Sequence, residues 1–169
     1  METTKKLNLS EIRQSIKNTQ SDFLQLLHKS VSPSKLFLRP SPEEWSCGIV
    51  FWHISEARLF FTNEIKKGLA DAYTEIGRKI DNPIRLAAIT EAAQNHPSIE
   101  QINARLIDSY TQLNGTLEEL TENNLTKTVL HMNPKFGVME LRSFIEHFLV
   151  EHDSIHVRQI QRILTQIRS

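Results

Sequence analysis

Cysteine is almost absent from this chain: Cys47 is the single thiol in 169 residues. That excludes an internal disulfide framework and any Cys-x-x-Cys redox or zinc pair, and it suits a reducing compartment. Glycine and proline are scarce as well, with five and six residues, which argues against a loop-rich all-β design and toward helices. Neither sign of charge is in excess. Twenty basic residues balance twenty acidic ones, so no global field draws the chain to nucleic acid, anionic lipid or an acidic substrate. No segment approaches the roughly 18 uninterrupted apolar residues of a membrane helix, and the opening METTKKLNLSEI lacks an apolar signal core. The expectation is a cytoplasmic protein with a small-molecule substrate and neither nucleic-acid nor membrane partners. Its length and its 39% hydrophobic and 24% charged residues fit one soluble domain spanning 1–169.

Hydrophobic periodicity predicts four long helices. The first runs from Ser10, as N-cap, to Lys29, with Ile12, Ile16, Phe23, Leu26 and Leu27 on one stripe and Pro33 closing it. The proline-rich SPSKLFLRPSPEEWS forms a connection, and helix 2 follows from about Ser46 to Leu69. From Ala70 to Pro97 the pattern weakens into a long crossing connection, with a short helix over IRLAAITEAAQ that Pro83 opens. Ser98 and Gln101 form a capping-box signature for helix 3, whose stripe is Ile102, Leu106, Tyr110, Leu113, Leu117 and Leu120. TENNLTKTVLHMNPKFG reads as a loop with a short extended piece at Lys127 to His131, and helix 4 runs from Val138 or Met139 to about Ile167. Helices with one broad apolar stripe each must bury those stripes against one another. The fold class is therefore all-α, a four-helix bundle with a long connection between helices 2 and 3.

Seven histidines are present, and their placement on the helices separates them. At 100° per residue, helix 4 carries Leu141, Ile145, Phe148, Leu149, Ile155, Ile160, Ile163 and Ile167 on one face, and His152, His156 and Gln159 fall on that same face. Polar groups within an apolar stripe are costly unless a partner satisfies them, and a metal ion is one such partner. Histidines four apart on a helix project side by side and bring two imidazole nitrogens to one ion. His53, with Ile49, Ala57 and Phe60 on the stripe of helix 2, is the natural third ligand. Three protein ligands leave a position open, the pattern of catalytic rather than structural metal sites.

An isolated inward histidine is more often a hydrogen-bonded core residue, and that reading competes for His53 taken alone. Gln159 is a candidate orienter of a histidine. Glu56, one turn after His53, is a candidate to orient a ligand or accept a proton, against the blander role of a solvated glutamate. His147 points away from His152 by roughly 140° and is set aside. His28, His96 and His131 fall at a helix end or in loops, with His131 near enough to helix 4 to reach the pocket. Cys47 fits the role of a small buried hydrophobe.

Trp45 and Ser46, then His53 and Glu56 in FWHISEA, then Gly137, then HDSIHVRQI from His152 to Ile160, occur in an order that resembles the DinB/YfiT-like superfamily of metal-binding four-helix proteins. The ordered set covers helices 2 to 4. The resemblance implies an up-up-down-down bundle that is frequently a homodimer. It also implies a divalent metal such as zinc or nickel held by His53, His152 and His156. Members with known activity include S-transferases and isomerases that use low-molecular-weight thiols such as bacillithiol or mycothiol. Family membership constrains the site more than the reaction. Three readings stay open: activation of a small thiol for transfer to an electrophile, hydrolysis by metal-bound water, and a non-catalytic metal-binding dimerisation module.

Overall fold

Asn8, rather than Ser10, caps the first helix: its side chain accepts from the Glu11 backbone while the Glu11 side chain accepts from the Asn8 backbone. This capping box starts α1 (Leu9–Gln25), which continues into a wider π turn at Leu26–Ser30. The computed structural model describes residues 6–167, so the first five and last two residues of the expected 1–169 domain, and part of the segment read for a signal core, lie outside it. Ser46 caps α2 (Cys47–Ala70) and Pro83 opens α3 (Pro83–Asn95). Ser98 and Gln101 complete the expected capping box of α4 (Ile99–Glu119). A short α5 (Glu122–Leu125) leads into a hairpin, and the last long helix consists of α6 (Leu141–Ile145), a π turn at Glu146–Glu151, and α7 (His152–Gln166). Among the described residues no helix is long and apolar enough to cross a membrane.

The core has two apolar clusters, and the order in which each helix visits them gives its direction. One cluster contains Leu9, Ile12 and Ile16 of α1, Phe61 and Ile65 of α2, Leu113 and Leu117 of α4, and Phe144 of α6. The other contains Phe23 of α1, Cys47, Val50 and Ile54 of α2, Ile102 and Leu106 of α4, and Ile160 and Ile163 of α7. The first and last helices therefore run one way while α2 and α4 run the other, an up-down-down-up bundle instead of the expected up-up-down-down. The physical reason lies in the connection from α2 to α4: neighbouring parallel helices need a return crossover, and α3, packed on α2, carries the chain back. Helices α1 and α2 each pack against α4 and α7.

A three-stranded sheet caps one end, formed by β1 (Glu75–Ile76), β2 (Thr128–His131) and β3 (Val138–Glu140), with β2 in the centre. β1 pairs parallel to β2, with Ile76 opposite His131, and β3 pairs antiparallel to it, with Leu130 opposite Val138. The extended piece near Lys127 to His131 is thus a strand. Val138 and Met139, expected to open the last helix, belong instead to β3, whose backbone bonds go across the ladder until Leu141. Two-residue β1 carries too little periodicity to be seen in the sequence.

Gly77 follows β1 with φ +87°, and a Cβ there would lie 2.3 Å from His131 Nε2. The His131 ring is held by Phe136 and Phe148 at centroid separations of 4.8 and 4.7 Å, so it cannot yield. The Gly77 N–H donates to Glu64 Oε2 at 2.8 Å, which fixes the path of the chain into Arg78. Gly77→Ala is expected to cost about 1–3 kcal/mol in chemical denaturation, from left-handed backbone strain and the displaced ring.

Candidate metal centre

Between the two apolar clusters lies a buried polar layer, and the histidines sit in it. His53 and His156 are buried and His152 is half-buried. His152 Nε2 lies 3.2 Å from His53 Nε2 and 3.1 Å from His156 Nε2, and the ligand atoms of all three lie within 4.8 Å of one another. Two nitrogens each roughly 2.0–2.1 Å from one zinc-like ion at tetrahedral angles would stand about 3.3–3.4 Å apart, so the spacing fits one shared ion.

Proton bookkeeping points the same way. Gln159 Oε1 accepts from His156 Nδ1 at 2.6 Å, so in the neutral ring that nitrogen carries the hydrogen and Nε2 presents a lone pair to the centre. A single proton on His152 Nε2 can bridge to only one of its two neighbours. Burial, followed by the charges of His152 and His156, drives the His53 pKa far below the ordinary histidine value. Burial, followed by His152, lowers His156 to about 4. Three imidazole nitrogens facing one point are a good donor set for a divalent cation and a poor one for each other.

Each ring is backed by a carboxylate or amide. Gln159 holds His156. Behind His53, Glu56 Oε2 lies 3.9 Å from Nδ1, and Glu56 is itself gripped on both oxygens by Arg78, with Nη2 to Oε2 at 2.7 Å. Glu56 is therefore buried and paired, not solvated. Behind His152, Asp153 Oδ1 stands 3.8 Å from Nδ1, a charge contact rather than a hydrogen bond. The other Asp153 oxygen accepts from Arg58 Nε at 3.0 Å and Nη2 at 2.7 Å. Burial pushes the Asp153 carboxyl up, but Arg58 and His152 more than offset this and hold it below the usual carboxylate range.

The acid response of the metal-free protein follows from these directions. His156 titrates near 4 folded against 6.5 as the ordinary value, so the unfolded chain binds the proton more strongly. This contribution to stability is present in full above 6.5 and lost as pH falls through about 4. Asp153, also depressed, acts with the same sign. Denaturant midpoints measured between neutral pH and pH 4 should fall monotonically; a midpoint that rises on acidification would contradict the neutral assignment.

Ser46 ends the connection before α2 and sets Trp45 against the site, with its ring 5.1 Å from that of His53 and 6.4 Å from that of His156. On the other side a cavity of about 480 Å³ opens on all three histidines, with Phe61, Phe136 and Phe148 among its walls. His147, set aside on the helical wheel, is exposed and reaches only the mouth of this cavity. His131 is buried behind Phe148, and His28 hydrogen-bonds Asn103 at a distance from the site. Cys47 is buried, and burial pushes its thiol up to about 12, so it is no nucleophile at neutral pH.

One placement on the wheel differs. Ile155, put on the inward face, is 52% exposed, while Asp153 is wholly buried. The π turn at Glu146–Glu151 explains both. The buried residues before it, Leu141, Phe144 and Ile145, and those after it, Asp153, His156, Val157 and Ile160, follow stripes offset by roughly 100°, the rotation of one inserted residue. His152, His156 and Gln159 keep their mutual phase because all three follow the turn. Asp153, Arg58, Arg78 and Gly77 were not singled out from the sequence. Arg58 carried the best signal, a charge five residues after His53 inside a helix that is otherwise largely apolar.

Similarity to known proteins follows the same outline. The chain is 25% identical to the uncharacterized protein YuaE of Bacillus subtilis over 147 residues, 82% of this chain and 89% of that one. Its fold is similar to YfiT from Bacillus subtilis, described as a probable metal-dependent hydrolase with an unusual four-helix bundle topology, at a TM-score of 0.78 and 14% identity, covering 99% of this chain and 91% of YfiT. It is similar to the mycothiol-dependent maleylpyruvate isomerase at a TM-score of 0.72 and 14% identity, over 91% of this chain but only 61% of the isomerase. The colibactin self-resistance protein ClbS, solved with double-stranded DNA, matches at a TM-score of 0.65 and 16% identity, over 95% of this chain and 97% of ClbS. At these identities the three structures share the fold. The DinB superfamily profile matches residues 15–160, and the chain belongs to the DinB superfamily.

Proposed function

We propose that this chain is a metal-dependent enzyme that activates the sulfur of a low-molecular-weight thiol for transfer to an electrophile. The observation that carries the reading is the convergence of the three Nε2 atoms at 3.1 and 3.2 Å beside an open cavity. His53, His152 and His156 would hold one divalent ion, zinc or nickel by the family resemblance, and imidazole donors suit both. Such an ion supplies Lewis acidity that lowers the pKa of a thiol sulfur. Gln159 fixes the His156 tautomer through Nδ1. Glu56, held by Arg78, and Asp153, held by Arg58, set a carboxylate 3.9 and 3.8 Å behind the other two rings. Phe61, Phe136 and Phe148 give the cavity beside the histidines apolar walls. The fold shared with a mycothiol-dependent isomerase supports thiol chemistry.

A second reading, metal-assisted hydrolysis, draws support from the likeness to YfiT and from a cavity open to solvent. In both readings the chain acts as a single-domain cytoplasmic homodimer on a small molecule, not on nucleic acid. A cavity of small-molecule size supports the substrate class, and exposed Tyr73, Ile84 and Leu86 in the crossover support a self-association surface.

The test is elemental analysis of protein purified without tag or chelator, followed by electrophile consumption with and without added thiols. Close to one equivalent of transition metal and thiol-dependent turnover are expected. A content far below one equivalent sinks the metal reading. Metal-loaded protein inert with every thiol sinks the transferase, and turnover indifferent to thiol moves the assignment to hydrolysis.

A further inference from the structure

The chain is neutral overall, but the cavity beside the histidines is not. Arg78, Lys79, Arg85 and Lys135 all line it, and among the described residues no aspartate or glutamate does. Arg78 is spent on Glu56, which it grips at both oxygens. That leaves three cations, and among the described residues Lys79, Arg85 and Lys135 form no ion pair. Arg85 is the best placed of them. It is half-buried, its Nη1 is anchored to the Ile80 carbonyl at 2.8 Å, and its guanidinium lies 5.7 Å from the Trp45 ring that flanks His53. A fixed, partly desolvated guanidinium with no carboxylate in ion-pairing contact among the described residues is suited to receive an oxyanion. The rest of the wall is apolar, with Ile80 and Ile155 exposed at the mouth and phenylalanines inside.

We propose that the substrate of this pocket is an amphipathic anion, an oxyanion (carboxylate or phosphate) on an apolar body, with Arg85 as its anchor and Lys79 and Lys135 flanking it. The assignment deepens the enzymatic reading, on which it relies only to say that the far end of the ligand faces the histidines. Anion preference itself requires no metal.

Calorimetric titration of the full chain, with metal content measured on the same sample, uses phenylbutyrate, phenylpropyl phosphate and the neutral phenylbutanamide. At least one anion should bind about tenfold more tightly than the amide or better, and whichever anion is favoured identifies the head group. Arg85→Met should erase that preference while leaving amide binding and metal content unchanged. Lys79→Met, an exposed change that spares the fold, should reduce the preference by about threefold. Equal binding of anions and amide by the wild type overturns the proposal. So does a preference that survives Arg85→Met and vanishes on removal of the metal, because the anion would then be a metal ligand. Short duplex DNA that displaces phenylpropyl phosphate and binds more tightly through Arg85 also overturns it, by making the wall a backbone-phosphate surface. Metal-free protein that keeps an Arg85-dependent preference sinks the enzyme reading but not this one, and metal-loaded protein without the preference does the reverse.

Discussion

Asp153→Ala should lower the unfolding free energy by about 3–5 kcal/mol, the usual cost of removing one partner of a buried ion pair. Asp153 and Arg58 are both fully buried. Two of the guanidinium nitrogens bind Asp153 Oδ2 at 3.0 and 2.7 Å, and the third, Nη1, donates to Gln20 Oε1 at 2.5 Å. Without the carboxylate, the arginine charge is left in a layer flanked by apolar clusters with one neutral partner. The loss is mostly the penalty of that orphaned charge rather than the net worth of the pair, so replacing both residues with apolar side chains should recover much of it. Denaturant unfolding of the two single variants and the double variant measures this as a cycle. A single-variant loss below about 1 kcal/mol would mean that water reaches Arg58 and that the layer is not dry. Asp153 also backs His152 at 3.8 Å, so the single variant should bind metal more weakly by roughly 10–100-fold, as expected when the group behind a ligand is removed.

His152→Ala should have the larger effect on the centre and the smaller one on the fold. Both short Nε2 contacts pass through His152. It is also the least buried of the three histidines, with 23% of its side chain exposed, so its truncation leaves little cavity. Metal affinity should fall by more than the roughly 10–100-fold of an outer-shell change, and metal-dependent turnover should fall with it. The unfolding midpoint of chelator-treated protein should stay close to that of chelator-treated wild type. If metal content is unchanged, the ion is held elsewhere. If the metal-free variant is itself strongly destabilised, His152 is a packing residue first.

The histidine pair was readable because residues four apart on a helix share a face whatever the helix packs against, and His53 because its neighbours on the wheel are apolar. Ser46, Pro83 and the Ser98–Gln101 box were readable because capping depends on side chains within three or four positions of the helix start. Asp153 was not, because the π turn before it displaces the wheel by about one residue, and nothing local in EHFLVE announces a turn of that width. Arg78 and Gly77 were not, because their roles come from contacts with Glu56, Glu64 and His131, between 13 and 54 positions away.

By itself, the sequence determined the helical class, the crossover between the second and third long helices, and which three histidines and which glutamine share one polar layer. All of these follow from periods and caps written within a few residues of each other. The tertiary structure alone decided that the bundle runs up-down-down-up, that a small sheet closes one end, that Arg58 and Arg78 neutralise the acids behind the histidines, and that Arg85 lines the pocket without forming an ion pair among the described residues. Those features arise where segments far apart in the chain meet, and helical periodicity says which side of a helix is buried but not what it is buried against.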